Sequence, residues 1–206
     1  MNIAITDGVN LTPPAFELGL GQWSSENGTA GSASYAGAAN AVLVPADADF
    51  GSCLELVKTQ STQKLRWMGQ TPILPGVYLR ITAKVKAVSG NFCAVRIAGY
   101  AMSAVNAHVT GLVEVGSSVT LTSYGKVVTV QAIVGSGTRT GVDMAWGTAP
   151  AYGHFGLDLT GQTGGVVRIE DIVIEDITEA FLRDLMDVVD VRDYGAKADG
   201  TTDDRA

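Results

Sequence analysis

The chain has 206 residues, and its 21 acidic residues outnumber its 14 lysines and arginines, which gives a net charge of −7. Charged residues make up only 17 % of the chain and hydrophobic residues 46 %, so a disordered polyelectrolyte is excluded, and an acidic chain of this kind is not expected to bind nucleic acid. The 25 glycines follow no period, which excludes collagen and indicates many turns between short strands.

The first segment, residues 1–39, is rich in Gly, Ala, Ser and Asn and contains Pro13 and Pro14. This composition predicts irregular structure that contributes a few apolar anchors, such as Phe16, Leu18 and Trp23. The N-terminus has neither a cationic region nor a continuous apolar run, so a secretory signal is not predicted.

Residues 40–177 show repeated short strands separated by glycine-containing turns. The clearest strand is Tyr78–Val88, in which apolar residues alternate with polar ones, so that one side faces a core and the other faces water. Strands are also predicted over residues 54–58, 63–68, 92–98, 108–115, 119–122, 126–134, 141–146, 154–159 and 165–176. About ten short strands at this spacing predict an all-β fold, an antiparallel jelly-roll β-sandwich. No apolar stretch approaches the ~20 residues of a membrane-spanning helix, so membrane insertion is not expected.

The pattern changes at Thr178. Apolar residues then recur at helical spacing after a candidate N-cap, which predicts a short helix over residues 178–187. Residues 168–206 hold twelve acidic and five basic residues, whereas residues 1–167 hold nine of each. This shift predicts a separate segment, residues 178–206, made of the helix and an acidic extended connector.

Catalytic and metal-binding patterns are missing from the sequence. His108 and His154 lie alone in strand-like runs. Cys53 and Cys93 lack the spacing of a zinc site, and because each lies in a strand-like run, two buried thiols are favoured over a disulfide. The chain has no Gly-x-Ser-x-Gly elbow, no phosphate-binding glycine loop and no assignable carboxylate pair. No enzymatic activity and no cofactor are therefore predicted for these residues.

Aromatic residues are the candidate binding groups, because their flat faces stack on the apolar faces of sugar rings. Candidates at strand ends or in turns are Trp67, Tyr100, Tyr124, Trp146 and Tyr152. An alternative stays open for both tryptophans. Trp67 shares its strand face with Leu65, and Trp146 shares its face with Met144, so both could belong to the core.

Glu170 and Asp171 are candidate metal ligands. They lie in the last predicted strand, where carboxylates could bind Ca²⁺ if loop carbonyls completed the coordination shell. A solvated strand end without a metal is the alternative.

The C-terminal residues 189–206 resemble the opening of pectate-lyase-like right-handed β-helix proteins. All ten specified positions of the pattern D-Y-G-A-K-x-D-G-x-T-D-D are matched between Asp193 and Asp204. The matched residues include Asp193, Tyr194, Gly195, Asp199, Gly200, Asp203 and Asp204. The resemblance implies a cap helix and a parallel β-helix beyond residue 206, of the kind found as trimers in phage tailspikes and in polysaccharide-degrading enzymes.

Residues 40–177 resemble jelly-roll carbohydrate-binding modules of the galactose-binding type. The run that begins at Tyr78 and the late run V-R-I-E-D-I-V-I carry this similarity; Asp171 matches the pattern, whereas Glu170 stands where the family has Asp. Together the two resemblances are those of phage-like spike proteins, including the head spikes of gene transfer agents.

The spike resemblance implies a virion or phage-like particle surface as the location, with synthesis in the bacterial cytoplasm and release by lysis. It also implies a homo-oligomer, a trimer or a pentamer at a fivefold vertex, that contacts capsid, spike-base or tail proteins and a capsular or other surface polysaccharide of the host. Two alternatives are a purely structural capsid or tail adaptor that binds no glycan, and an accessory module of a polysaccharide lyase or hydrolase whose enzymatic part is the β-helix.

Overall fold

The computed structural model describes residues 11–185, with side chains through Leu182. The β-helix-opening motif at Asp193–Asp204 and the predicted connector lie outside the described residues. Within the described range, the all-β antiparallel jelly-roll sandwich is confirmed, as is the short helix that follows it. No helix in this range is long and apolar enough to span a membrane.

The elements follow one another in short segments. Two 3-10 helices, Phe16–Leu18 and Leu20–Gln22, come first. The strands are β1 Trp23–Ser24, β2 Ala41–Asp47, β3 Gly51–Val57, β4 Thr62–Trp67, β5 Thr71–Pro72, β6 Tyr78–Ser89, β7 Ala94–Ala98, β8 Ala101–Met102, β9 Val119–Thr120, β10 Val128–Gly135, β11 Met144–Ala145, β12 Tyr152–Gly153, β13 Gly156–Thr160, β14 Val166–Ile169 and β15 Val173–Asp176. Helix α1, Thr178–Leu185, ends the described chain.

Two sheets form the sandwich. The five-stranded sheet has the order β1-β4-β13-β7-β9, and the seven-stranded sheet has the order β11-β10-β6-β14-β3-β2, with β15 also paired to β6. A small sheet, β5-β12-β8, continues the five-stranded sheet. Tyr100 and His154 lie where the two sheets meet, and each donates its backbone N–H to the carbonyl of the other, at 3.0 and 3.1 Å.

The core lies between the sheets, and period-two alternation places the side chains there. In β6, Leu79, Ile81, Ala83 and Val85 are buried, and the antiparallel register sets Val130 of β10 opposite Ala83. Burying one such aliphatic side chain contributes about 1.5–3 kcal/mol. The alternation predicted for Tyr78–Val88 is therefore the alternation observed.

Three expectations about local structure are wrong. The segment 108–115 forms only isolated bridges, from His108 to β8 and from Val115 to β7, because a turn at Gly111 separates its two ends; the Trp146 indole N–H donates to the Val113 carbonyl at 2.9 Å. The last predicted strand breaks into β14 and β15, since the backbone N–H of Phe16 donates to Asp171 Oδ1 at 2.9 Å between them. Leu18 is 77 % exposed and anchors nothing, whereas Phe16 and Trp23 are fully buried.

Candidate functional site

The outer face of the five-stranded sheet carries the site, and strand alternation builds it. Leu65 of β4 and Leu157 of β13 face the core, so their neighbours Lys64, Arg66 and Asp158 face outward. The register places Lys64 opposite Asp158, and Asp158 opposite Arg96 of β7. We call Lys64, Asp158 and Arg96 the central row.

Asp158 is held mainly by Arg66. The Arg66 Nη2 lies 2.7 Å from Asp158 Oδ1, and the side chains are only 3 % and 5 % exposed. Arg66 Nη1 also donates to the Leu157 carbonyl at 2.6 Å. Arg96 Nη2 is farther from Asp158, at 3.4 Å, and the Arg96 side chain is 28 % exposed. Arg96 is therefore the arginine of this face that solvent can reach.

An aromatic pair lies farther along the same face. Tyr100 is half-buried, and its ring stacks on His108 with ring centroids 4.0 Å apart and planes 10° apart. The His108 Nε2 lies 3.0 Å from Glu114 Oε1, and that oxygen also accepts the Ala101 N–H at 2.7 Å. These contacts hold the Tyr100–His108 ring pair in one orientation, which is the arrangement that a stacking platform needs.

His154 lies beside Tyr100 and is buried. Burial lowers the pKa of His154, which keeps the imidazole neutral near pH 7. Its Nδ1 then donates to the Gly69 carbonyl at 3.0 Å. His154 supports the face rather than supplying a charge to it.

A loop between β1 and residue 33 covers one side of the face. Gly28 has a positive φ of 85°, and a Cβ there would lie 2.9 Å from the Trp67 carbonyl and 3.1 Å from the His154 Cβ, so only glycine lets the loop approach this closely. The loop forms one wall of an open cavity of about 310 Å³ that is lined by hydroxyl, amide and charged groups. The lining residues are Ser25, Glu26, Asn27, Thr29, Ser32, Gln60 and Lys64.

Lys64 connects the cavity to the central row. Its ammonium donates to Asn27 Oδ1 at 2.7 Å. The cavity is lined by hydroxyl, amide and charged groups that can exchange hydrogen bonds with a polar ligand, and it lies on the same outer face as the Tyr100–His108 ring pair without including either ring in its wall.

The predicted aromatic residues do not all reach this face. Tyr100 and Tyr152 lie on it, but Tyr152 is only 9 % exposed, and its hydroxyl donates to Asn106 Oδ1 at 2.8 Å. Trp67 lies on the core side of β4 and packs against the core, as the alternative for this residue stated. Trp146 is 1 % exposed and stacks on Phe155, so it lies in the core, which is the alternative stated for this residue as well.

Tyr124 forms a second, separate aromatic surface. It is 54 % exposed and lies 4.7 Å from the Phe92 ring, which is 39 % exposed. The Tyr124 hydroxyl donates to the Gly90 carbonyl, which fixes the ring at the turn after β6.

The two candidate calcium ligands have partners within the protein. Glu170 Oε2 lies 2.9 Å from Lys84 Nζ, and Asp171 accepts the Phe16 N–H. Burial raises the pKa of Asp171. Among residues 11–182, no three His, Cys, Asp or Glu side chains are grouped to hold a metal ion.

Sequence reasoning missed the charged residues of the site. Lys64 and Arg66 alternate with Leu65, and this pattern marks them as outward-facing. Their grouping with Arg96 and Asp158 depends on the order and register of three strands that are distant in sequence, which no local pattern contains.

No protein-family model matches the sequence, and no curated protein matches it. Solved structures share the fold. The CBM22-1 xylan-binding domain of Paenibacillus barcinonensis Xyn10C is similar with a TM-score of 0.55 and 13 % identity, over 81 % of this chain and 94 % of that one. The C-terminal family 22 carbohydrate-binding module of Clostridium thermocellum Xyn10B has a TM-score of 0.51 and 12 % identity, over 82 % and 94 % of the two chains. At these identities the likeness shows the jelly-roll fold.

Proposed function

We propose that this jelly roll is a non-catalytic glycan-binding module, and that the outer face of its five-stranded sheet binds the glycan. The observation that carries the proposal is the half-buried Tyr100–His108 ring pair on the same face as a polar cavity. A ring face can stack on the apolar face of a sugar, and hydroxyl, amide and charged groups can exchange hydrogen bonds with its hydroxyls. The fold shared with xylan-binding modules supports the same function.

We further propose that the module serves in a spike subunit of a virion or phage-like particle and attaches the particle to a host polysaccharide. The resemblance of residues 193–204 to a β-helix opening supports this role. In a homotrimer, several weak sugar sites on one spike would act together and give useful avidity. The expected results are a trimer by light scattering of the full chain and binding to encapsulated bacteria that is lost when the capsule is removed enzymatically.

The test of the glycan site compares two tyrosines. In affinity electrophoresis through gels that contain soluble xylan or polygalacturonate, the wild-type chain is expected to be retarded by at least one polymer. Tyr100→Ala is expected to weaken that retardation roughly tenfold, because it removes the stacking face. Tyr124→Ala is the matched control, since it removes a ring from the separate Phe92–Tyr124 surface.

Each other outcome has a distinct meaning. If Tyr124→Ala loses retardation and Tyr100→Ala keeps it, the glycan binds at the Phe92–Tyr124 surface, and the site proposed here is wrong. If a folded wild-type chain is retarded by neither polymer and binds neither encapsulated nor capsule-free bacteria, glycan binding is refuted in favour of the structural adaptor. Melting temperatures of both variants confirm that each remains folded.

A further inference from the structure

The two outer faces of the sandwich differ in how their cations are paired. On the seven-stranded sheet, the cations Arg80, Lys84, Lys86 and Arg168 all pair with carboxylates, which are Glu175, Glu170, Asp47, Asp49 and Glu55. On the five-stranded sheet, Arg66 and Arg96 share one carboxylate, Asp158, whereas Lys64 lies opposite Asp158 in the strand register and donates to Asn27 instead. Within the central row, Lys64 and Arg96 therefore lie on either side of a carboxylate that a third cation, Arg66, already binds closely.

Two other carboxylates, Glu26 and Glu114, border this face, but neither forms an ion pair with Lys64 or Arg96 among the described residues. Glu26 lies on the covering loop, where Oε2 accepts the Ala33 N–H at 3.3 Å. Glu114 is paired with His108 at the other end of the face. Lys64 is bonded to the neutral Asn27 oxygen, so its charge has no carboxylate partner among the ion pairs of the described residues.

The guanidinium groups also keep unused donors. The Nε atoms of Arg66 and Arg96 are buried and have no hydrogen-bond acceptor within the described part of the chain. Because Arg66 takes most of the Asp158 carboxylate, Arg96 holds only a 3.4 Å contact to it while remaining partly exposed. Lys64 and Arg96 therefore flank Asp158 in the central row as two cations whose charge is incompletely neutralised.

We propose that the glycan bound on this face is acidic, and that Lys64 and Arg96 bind the carboxylates of its uronate units. This inference rests on the proposed glycan-binding function and names the class of ligand. Charged donors form stronger hydrogen bonds with carboxylates than with hydroxyls, and Arg presents them in a planar fork that matches a carboxylate. The Tyr100 ring would contribute the part of the affinity that does not depend on the charge of the glycan. The two cations would make the module prefer glycans that contain uronate.

The test uses two polymers that differ only in charge, polygalacturonate and its carboxyl-reduced product. The wild-type chain is expected to bind polygalacturonate at least tenfold more tightly, and this preference is expected to fall as salt is raised. Arg96→Gln and Lys64→Gln are each expected to weaken polygalacturonate binding roughly tenfold and to leave binding of the reduced polymer unchanged. Arg80→Gln, which removes a 39 % exposed cation from the opposite sheet, is the matched control and is expected to leave both affinities unchanged.

The outcomes separate this inference from the proposed function. Equal binding of both polymers would leave glycan binding intact and overturn the acidic preference. An acidic preference that survives both Arg96→Gln and Lys64→Gln would also overturn the inference, because the carboxylates would then be recognised elsewhere. If the folded wild-type chain binds neither polymer, nor xylan, nor bacteria with or without their capsule, the proposed function fails, and this inference fails with it.

Discussion

Lys58 is a fully buried lysine that has no carboxylate partner among the ion pairs of the described residues. Its ammonium donates to three backbone carbonyls, those of Gln60, of Ser61 at 2.9 Å and of Gly161 at 2.7 Å. Burial lowers the pKa of Lys58, because desolvation disfavours the charged form. The carbonyls take the place of water around the charge, and they join the turn after β3 to the turn after β13.

We expect Lys58→Met to destabilise the fold by about 2–4 kcal/mol, because methionine fills much of the space but leaves buried carbonyls without a donor. Lys126→Met, at an exposed position, is the control and is expected to change stability by less than about 0.5 kcal/mol. Urea unfolding of both variants measures the difference. Equal stabilities would mean that the three carbonyls find other donors and that Lys58 is not a structural cation.

At the scale of the element, β6 is the strand around which the seven-stranded sheet is organised. Its 12 residues pair with β10 along one edge and with β14 and then β15 along the other. On its outer face, Lys86 Nζ lies 2.6 Å from Asp47 Oδ1, and Arg168 Nη1 lies 2.7 Å from Asp47 Oδ2. Asp47 therefore joins β2 to two strands that are not adjacent to it in sequence.

This arrangement predicts an acid-sensitive stability. Hydrogen bonds from Lys86, and then from Arg168, hold the pKa of Asp47 well below its usual range, although burial opposes the shift. A depressed folded-state pKa contributes stability above the unfolded pKa of about 4, and this stability is lost as pH falls toward the folded value. We expect Asp47→Asn to be less stable than the wild type at pH 7 and to lose less of its stability between pH 5 and pH 2.

The control for this prediction is Glu175→Gln, which breaks the exposed Arg80–Glu175 pair on the same face. Exposed pairs contribute little because water screens them, so this variant is expected to keep the wild-type pH dependence. Melting temperatures measured across the pH range compare the three proteins. A wild-type slope in Asp47→Asn would assign the acid sensitivity to other carboxylates.

Sequence reasoning predicted well those strands that are paired along their whole length and have one face in the core and one face in water. Tyr78–Val88 alternates strictly because one face packs into the core between the two sheets, while the other carries cations that pair with carboxylates. The segment 108–115 alternates as well, but its two ends bond to different strands, His108 to β8 and Val115 to β7, and the turn between them prevents pairing along its length. Of the candidate site, Tyr100 was predictable as an aromatic residue after a strand, whereas the central row required the strand register.

At the scale of the whole molecule, the first segment and the sandwich share one core. Phe16, Trp23 and Tyr35 are buried within the same cluster as the strand residues, and the Phe16 and Trp23 ring centroids lie 4.6 Å apart. The segment also pairs with β4 through β1 and supplies the loop that lines the cavity. The predicted boundary between residues 39 and 40 stays a prediction, and the physical question is whether the two parts unfold together.

A comparison of two neighbouring side chains answers that question. Phe16→Ala is expected to destabilise the entire sandwich by about 3–5 kcal/mol, because it opens a cavity in the shared core. Leu18→Ala, two residues away and 77 % exposed in the wild type, is expected to change stability by less than about 0.5 kcal/mol. Near-UV circular dichroism during urea unfolding should show a single transition, which moves to lower urea concentration in Phe16→Ala. The same variant is expected to be retarded less by glycan, because the loop at residues 25–32 loses part of its support. Two transitions, with the later one unmoved by Phe16→Ala, would instead show that the sandwich is stable without its first segment.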